Sequence, residues 1–350
     1  MKQILNTFYK CPVCCLMIFL FCTVFAGNVI SQVQDTKGTD FWLTFPSNIS
    51  STAIPGLLIS ADVNTSGTVT AGVFSTTFTV TPGVITRVTL PSSVFVITSN
   101  AIQNNGIHVT ALNEVTVYGL NFLQDATRQH STDAFLGMPT DVLGTQYITL
   151  SYKNGSDTNA LLVNGTQFAI VATQNATTVT IIPSVSTYIY NAGLPYDVTL
   201  NQGQTYILRN ELPGTADLSG TIISSTKPIA VFGSHRCAEI PRDYVECNYI
   251  VEELPPYTTW GKNFVTFPLK TRTKGDTFRF IASTDNTTVN VNGLAVATLN
   301  RGKYHEMLLT TPSLVTSDKP ILVAQYSNST SFDGVVSDPS MMLIPPYEQV

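Results

Sequence analysis

Charge is scarce in this chain: only 12% of its 350 residues are charged, with 18 Lys and Arg against 23 Asp and Glu. The cations are scattered, so no basic face is available to neutralise a phosphate backbone, and nucleic acid is excluded as a partner. Glycine-rich phosphate loops are missing too: neither Gly-x-x-x-x-Gly-Lys nor Gly-x-Gly-x-x-Gly follows a strand pattern, which disfavours nucleotide enzymes. No stretch of a dozen residues carries a 3.6-residue hydrophobic period, so helices should be few and short.

Cysteine is sparse once the N-terminus is set aside. Residues 1–26 hold Lys2 and Lys10, no acid, and an apolar run from Val13 to Ala26 that ends in a small residue before polar Gly27 and Asn28. That is the pattern of a secretory signal peptide, and the run is shorter than the roughly 20 apolar residues that a membrane span needs. Cleavage after Ala26 removes Cys11, Cys14, Cys15 and Cys22 and leaves Cys237 and Cys247, which in an exported chain read as one disulfide. The mature chain then has 16 basic and 23 acidic residues, a net charge of −7, and no membrane span. Asn-X-Ser/Thr sequons at Asn48, Asn64, Asn154, Asn164, Asn175, Asn286 and Asn328 are candidate glycosylation sites on a secreted surface.

What the chain has in abundance is period-two alternation, as in Thr68-Val-Thr-Ala-Gly-Val73, Ile85-Thr-Arg-Val-Thr-Leu90 and Thr178-Val-Thr-Ile-Ile182, punctuated by Pro-Gly, Asn-Gly and Asn-x-Gly turns. This predicts an all-β, mostly antiparallel fold. It also has internal repetition. Gly38-Thr-Asp-Phe41, Gly144-Thr-Gln-Tyr147 and Gly261-Lys-Asn-Phe264 each open a strand, and Glu114 to Gly119, Lys227 to Gly233 and Lys319 to Gln325 each close a unit. Phe168 to Ile181 aligns without a gap on Phe278 to Val291, and Leu200-Asn-Gln-Gly203 matches Leu299-Asn-Arg-Gly302.

Repetition at this spacing predicts three tandem β-sandwich-like units. After the signal and a linker over 27–37, they cover 38–137, 138–253 and 254–343; residues 344–350 read as a linker or the start of a further unit, as if the natural protein continued. Trp42 and Trp260 sit in apolar strand contexts and read as core or interface anchors.

Candidate chemistry is thin. His130, Ser131 and Asp133 superficially resemble a nucleophile, base and orienter set, but a triad is defined by geometry rather than by adjacency. Glu252 and Glu253 are neighbours on an extended segment, where side chains diverge and cannot face one glycosidic bond. No metal site is expected, because His235 stands beside the cysteine pair without further ligands at a suitable spacing. The distinctive element is Gly233 to Asn248, an insertion absent from the third unit that combines the cysteine pair with His235, Arg236, Arg242 and Tyr244, residue types that anchor interfaces. Two readings of it stand together, a binding loop and a structural staple. A carbohydrate-binding adhesin would need exposed aromatics such as Tyr188, Tyr190 and Tyr257.

Five segments carry a resemblance: Gly38 to Pro46, Ser131 to Pro139, Ala230-Val-Phe-Gly-Ser-His-Arg-Cys237, Glu253-Leu-Pro-Pro-Tyr-Thr-Thr-Trp-Gly261, and Asp338 to Pro346. Together they resemble the IgGFc-binding protein N-terminal domain family. The resemblance implies an extracellular, non-enzymatic module of mucus or matrix that binds a protein or glycoprotein without a cofactor. It supplies no catalytic residue, and the von Willebrand type D modules of the family's mucus members are not found in this sequence.

Overall fold

The computed structural model describes residues 36–50, 52–123, 131–155, 165–212, 214 and 216–349. The signal segment, His130 and Asn164 lie outside them. Residues 36–350 form one compact unit. Three antiparallel sheets dominate it, and the same strand order runs through each.

The first sheet contains β1 (Gly38–Leu43), β2 (Ile54–Ser60), β3 (Thr65–Ala71), β4 (Phe74–Val80), β5 (Thr86–Thr89), β6 (Ile107–Phe122) and β7 (Asp133–Leu136). The second contains β8 (Gly144–Ile148), β9 (Thr166–Ala172), β10 (Thr177–Ile182), β11 (Tyr196–Leu200), β12 (Thr205–Asn210), β13 (Ile222–Ala238) and β14 (Asn248–Glu253). The third contains β15 (Gly261–Thr266), β16 (Asp276–Ala282), β17 (Thr287–Val291), β18 (Leu294–Leu299), β19 (Tyr304–Leu309), β20 (Ser313–Ser327) and β21 (Ser340–Ile344). A short helix, α1 (Thr330–Asp333), precedes β21.

The expected all-β, mostly antiparallel architecture is present, and in each sheet one long strand serves both halves. β6 pairs with β1 and β3 along its first half and with β2 and β7 along its second. β13 and β20 do the same in their sheets. The switch between halves is a register shift: the opening strand jumps from Thr110 to Val115, from Ser224 to Ile229 and from Thr316 to Ile321 on its partner. Pro228 and Pro320 sit at that jump in β13 and β20, where a missing N–H costs the ladder nothing. The sheet therefore curls around its own long strand, and alternate side chains fill the fold.

Phe41, Tyr147 and Phe264 from the three Gly-x-x-aromatic openings are at most 1% exposed. The glycines that open these segments have a packing reason: a Cβ on Gly38, Gly144 or Gly261 would stand 2.3, 2.7 or 2.2 Å from the Cβ of Pro139, Pro256 or Pro346. Each proline linker thus folds back on the glycine that opened the preceding stretch rather than on the glycine that follows it. At the C-terminal end Glu348 Oε1 also accepts Lys262 N at 2.7 Å, so the residues after 344 pack against the third sheet.

The sheets share apolar cores. Ala169, Val171 and Phe232 of the second sheet belong to the cluster around Phe41, Phe45 and Phe135. Ile281, Leu322 and Tyr326 of the third join the cluster around Tyr147 and Phe168.

Candidate binding surface

The segment after β13 forms a disulfide-closed loop, with Cys237 and Cys247 bonded and their Cα atoms 5.0 Å apart. It is fixed on α1 and the residue before it, in the connection between β20 and β21. Ser329 Oγ accepts Ile240 N at 3.0 Å, Ser331 Oγ donates to Val245 O at 2.9 Å, and the Tyr244 ring meets Phe332 of α1 edge-on at 5.1 Å. Asn248 holds it on the other side, donating to Thr132 O and Pro339 O and accepting Thr132 N. Even so held, Tyr244 and Val245 keep part of their side chains in solvent, 40% and 62% exposed.

The four binding candidates separate by depth. Tyr244 reaches the surface. Arg242 Nε donates to Asn154 O at 3.0 Å and its guanidinium lies 3.7 Å from Asp243. Arg236 pairs with Glu211 at 3.2 Å and donates to Asn48 O, bracing the loop's root. His235 is a correction: it is fully buried and cannot touch a partner. Its Nδ1 accepts Cys237 N, so the ring is neutral and Nε2 donates to Asn154 Oδ1 at 3.0 Å. Burial pushes its pKa down to about 3.

The sequons separate in the same way. Asn64, Asn175 and Asn286 are exposed. Asn48, Asn154 and Asn328 are buried, with each side-chain amide donating inside the fold: Asn48 to Asn121 and Ser131 O, Asn154 to Asn210 O and Leu212 O, Asn328 to Gly275 O. A glycan on these three would break those bonds, so the structure withdraws them as acceptors in the folded chain.

Ser131 and Asp133 serve structure. Ser131 Oγ accepts Tyr249 N at 2.9 Å, while the Asp133 carboxylate accepts Val251 N at 3.1 Å and Met341 N at 3.4 Å. One carboxyl thereby ties β7, β14 and β21, the last strand of each sheet. Burial pushes its pKa up to about 8, against the opposing pull of the backbone donors. Glu253 is buried and accepts Met138 N at 3.0 Å. Among the described residues no three His, Cys, Asp or Glu side chains converge to hold a metal ion.

The aromatics proposed for sugar stacking form no shared platform. Tyr190 is stacked on Tyr196 at 3.6 Å, Tyr257 packs edge-on against Trp260, and only Tyr188 stands free, 77% exposed. Trp260 is buried and donates to Pro255 O, as an anchor should.

Trp42 is an anchor at the edge of the first core, packed against it and beside Gly203 in the turn between β11 and β12 of the second sheet. It is half-buried and lines an open cleft of about 450 Å3 between the first and second sheets, together with Asp40, Thr140, Asp141, Gln174 and Gln202. His108 stacks on its indole at 4.1 Å and an interplanar angle of 7°, and His108 Nε2 meets Asp40 Oδ2 at 2.8 Å. The signal for this cleft was in the repeat alignment. At the next junction Tyr257 and Arg301 stand where Thr140 and Gln202 stand here, so the larger side chains are missing at the first junction.

Comparison with known proteins adds identity to this geometry. A human protein, "IgGFc-binding protein", is 27% identical over 331 residues, covering 90% of this chain. The chain spans 6% of that protein's length. Among solved structures, a 1.5-MDa bacterial ice-binding adhesin is 9% identical over 86% of this chain and 93% of its own. A Ca2+-stabilized ice-binding adhesin of an Antarctic bacterium is 11% identical over 88% of this chain and 74% of its own. Both have a TM-score of 0.14, too low to carry an argument. The family model described as IgGFc binding protein matches residues 133–350, well over half of the sequence, and the chain belongs to this family.

Proposed function

We propose that the chain is a secreted, non-enzymatic binding and scaffolding module that holds an extracellular protein or glycoprotein partner. The observation that carries this reading is the Cys237 to Cys247 loop. It is held through Ile240 on Ser329 and through Asn248 on Thr132 and Pro339, and it offers part of an aromatic and an aliphatic side chain, Tyr244 and Val245, to solvent. A loop already ordered by such contacts loses little conformational entropy on binding, which is the advantage of a preorganised contact. Membership of a binding-protein family supports the same reading. The apolar run and small residue over 13–26 support export. No immunoglobulin partner is assigned.

The test is capture from a mucus or serum-like extract, native and deglycosylated, by the wild type and by a Tyr244→Ser/Val245→Ser variant, read by mass spectrometry. A protein that survives deglycosylation of the extract and is lost with the variant supports the loop. Equal capture by a variant of unchanged melting temperature removes it.

A further inference from the structure

The junction between the second and third sheets holds a filled version of the cleft that stands open between the first and second. There Tyr257, the first residue of a 3-10 turn after Pro256, donates its hydroxyl to Gln146 Oε1. Arg301 lies over its ring, 5.1 Å from the centroid, and donates to the same hydroxyl at 3.2 Å. Thr140 opens the corresponding turn after Pro139, Asp40 stands at the place of Gln146, and Gln202 at the place of Arg301. The Thr140 hydroxyl reaches Asp40 as the Tyr257 hydroxyl reaches Gln146, but threonine has no ring, and the space that the ring fills at the second junction is open at the first.

The open cleft is also lined differently. Two isoleucines, Ile148 and Ile222, occupy the second junction where Trp42 and His108 stand in the first. Against the single hydroxyl that Tyr257 presents, the first cleft adds the carboxylates of Asp40 and Asp141 and the amides of Gln174 and Gln202. Carboxylates and amides suit a six-membered ring that carries hydroxyls on several carbons, and the part of the Trp42 indole that lines the cleft, its other face being covered by His108, offers an apolar surface for its C–H groups. His108 and Asp40 fix the indole, so the site is formed before a ligand arrives.

We propose that this cleft binds one hexopyranose residue of a glycan, with Trp42 as the apolar wall and Asp40, Asp141, Gln174 and Gln202 as hydrogen-bonding partners. The site is separate from the disulfide loop and does not depend on that loop's role.

The test titrates the full chain with the methyl glycosides of glucose, galactose, mannose and N-acetylglucosamine, and with N-acetyltyrosinamide, following tryptophan fluorescence and calorimetry. At least one glycoside should saturate. Thr140→Tyr with Gln202→Arg, which installs the side chains of the second junction, should weaken it by at least about tenfold while the Tyr244→Ser/Val245→Ser variant binds as the wild type does. Should the filled variant fail to fold, Asp141→Ala with Gln174→Ala, both at exposed positions, should give the same loss. Saturation by none of the glycosides, binding of N-acetyltyrosinamide alone, or undiminished affinity in a folded cleft variant would each overturn the proposal.

Discussion

Asn154 Oδ1 accepts hydrogen bonds from Gly165 N, Thr166 N and His235 Nε2, and its amide donates to Asn210 O and Leu212 O. A residue so placed is a core polar hub, although its three-residue sequence pattern is that of a surface modification site. Sequons carry no burial information, which is why seven looked alike and the described ones divide by solvent access. Expression in a eukaryotic secretory host should give glycopeptides at Asn64, Asn175 and Asn286 and none at Asn48, Asn154 and Asn328; peptide mapping of the folded, secreted chain checks this. His235 was misplaced for a related reason: it ends a run of β13, Ile229 to His235, that is buried on both faces, and nothing local marks where that burial stops and the loop begins. At the same scale, Phe264 is 1% exposed in the third core. Phe264→Ala should lower the unfolding free energy by about 3–5 kcal/mol, measured by denaturant titration.

At the level of elements, the alternating runs and the Asn-x-Gly turns were legible because period two and turn chemistry are local. The double use of β6, β13 and β20 was not. It depends on a register jump, and its only local trace is a proline at the crossing point in two of the three strands. The return of Pro139 to Gly38 was hidden as well, since sequence order places each proline just before the next glycine and only the fold brings it to the previous one. The disulfide was legible once the four cysteines of the N-terminal apolar segment were set aside, which left Cys237 and Cys247 as a pair. Cys237→Ser with Cys247→Ser should cost on the order of 3 kcal/mol by the loop-entropy relation, and hydrogen exchange should show faster exchange confined to the loop. The carboxyl that ties the three final strands makes a pH prediction. Asp133 has a folded pKa of about 8, above its ordinary value of 3.8, so the folded chain binds this proton more tightly than the unfolded chain. Its contribution is complete below about pH 4 and is lost as pH rises through 8. Asp133→Asn should flatten the decline in melting temperature across that window, and an unchanged slope would show that Asp133 is not its source.

For the whole molecule, the second and third sheets are joined by Arg279, which is fully buried. It reaches Asp217 at 2.9 Å and Glu306 at 2.8 Å, with the rings of Tyr152 and Tyr304 4.1 and 4.3 Å from the guanidinium carbon. Nothing in the sequence pointed to it, because the position is an ordinary inward one in a strand and its partners lie 62 and 27 residues away. Arg279→Ala leaves Asp217 buried without its cation and should cost about 3–5 kcal/mol. Burial alone would raise the pKa values of Asp217 and Glu306, but the Arg279 guanidinium outweighs it together with the Ser219 and Tyr304 donors at Asp217 and with Lys153 at Glu306, and both are held low. Their contribution is therefore present above the ordinary carboxylate range and is lost as pH falls through the depressed folded values, the opposite direction to Asp133. A melting series in acid should fall less steeply for the variant than for the wild type.

In the function proposed above, the Cys237 to Cys247 loop is the contact that these joined sheets carry. The most direct test of that role is hydrogen exchange by mass spectrometry on the chain alone and bound to its captured protein partner. The account predicts new protection over Arg242 to Val245. Protection elsewhere, with the loop exchanging as it does in the free chain, would contradict it.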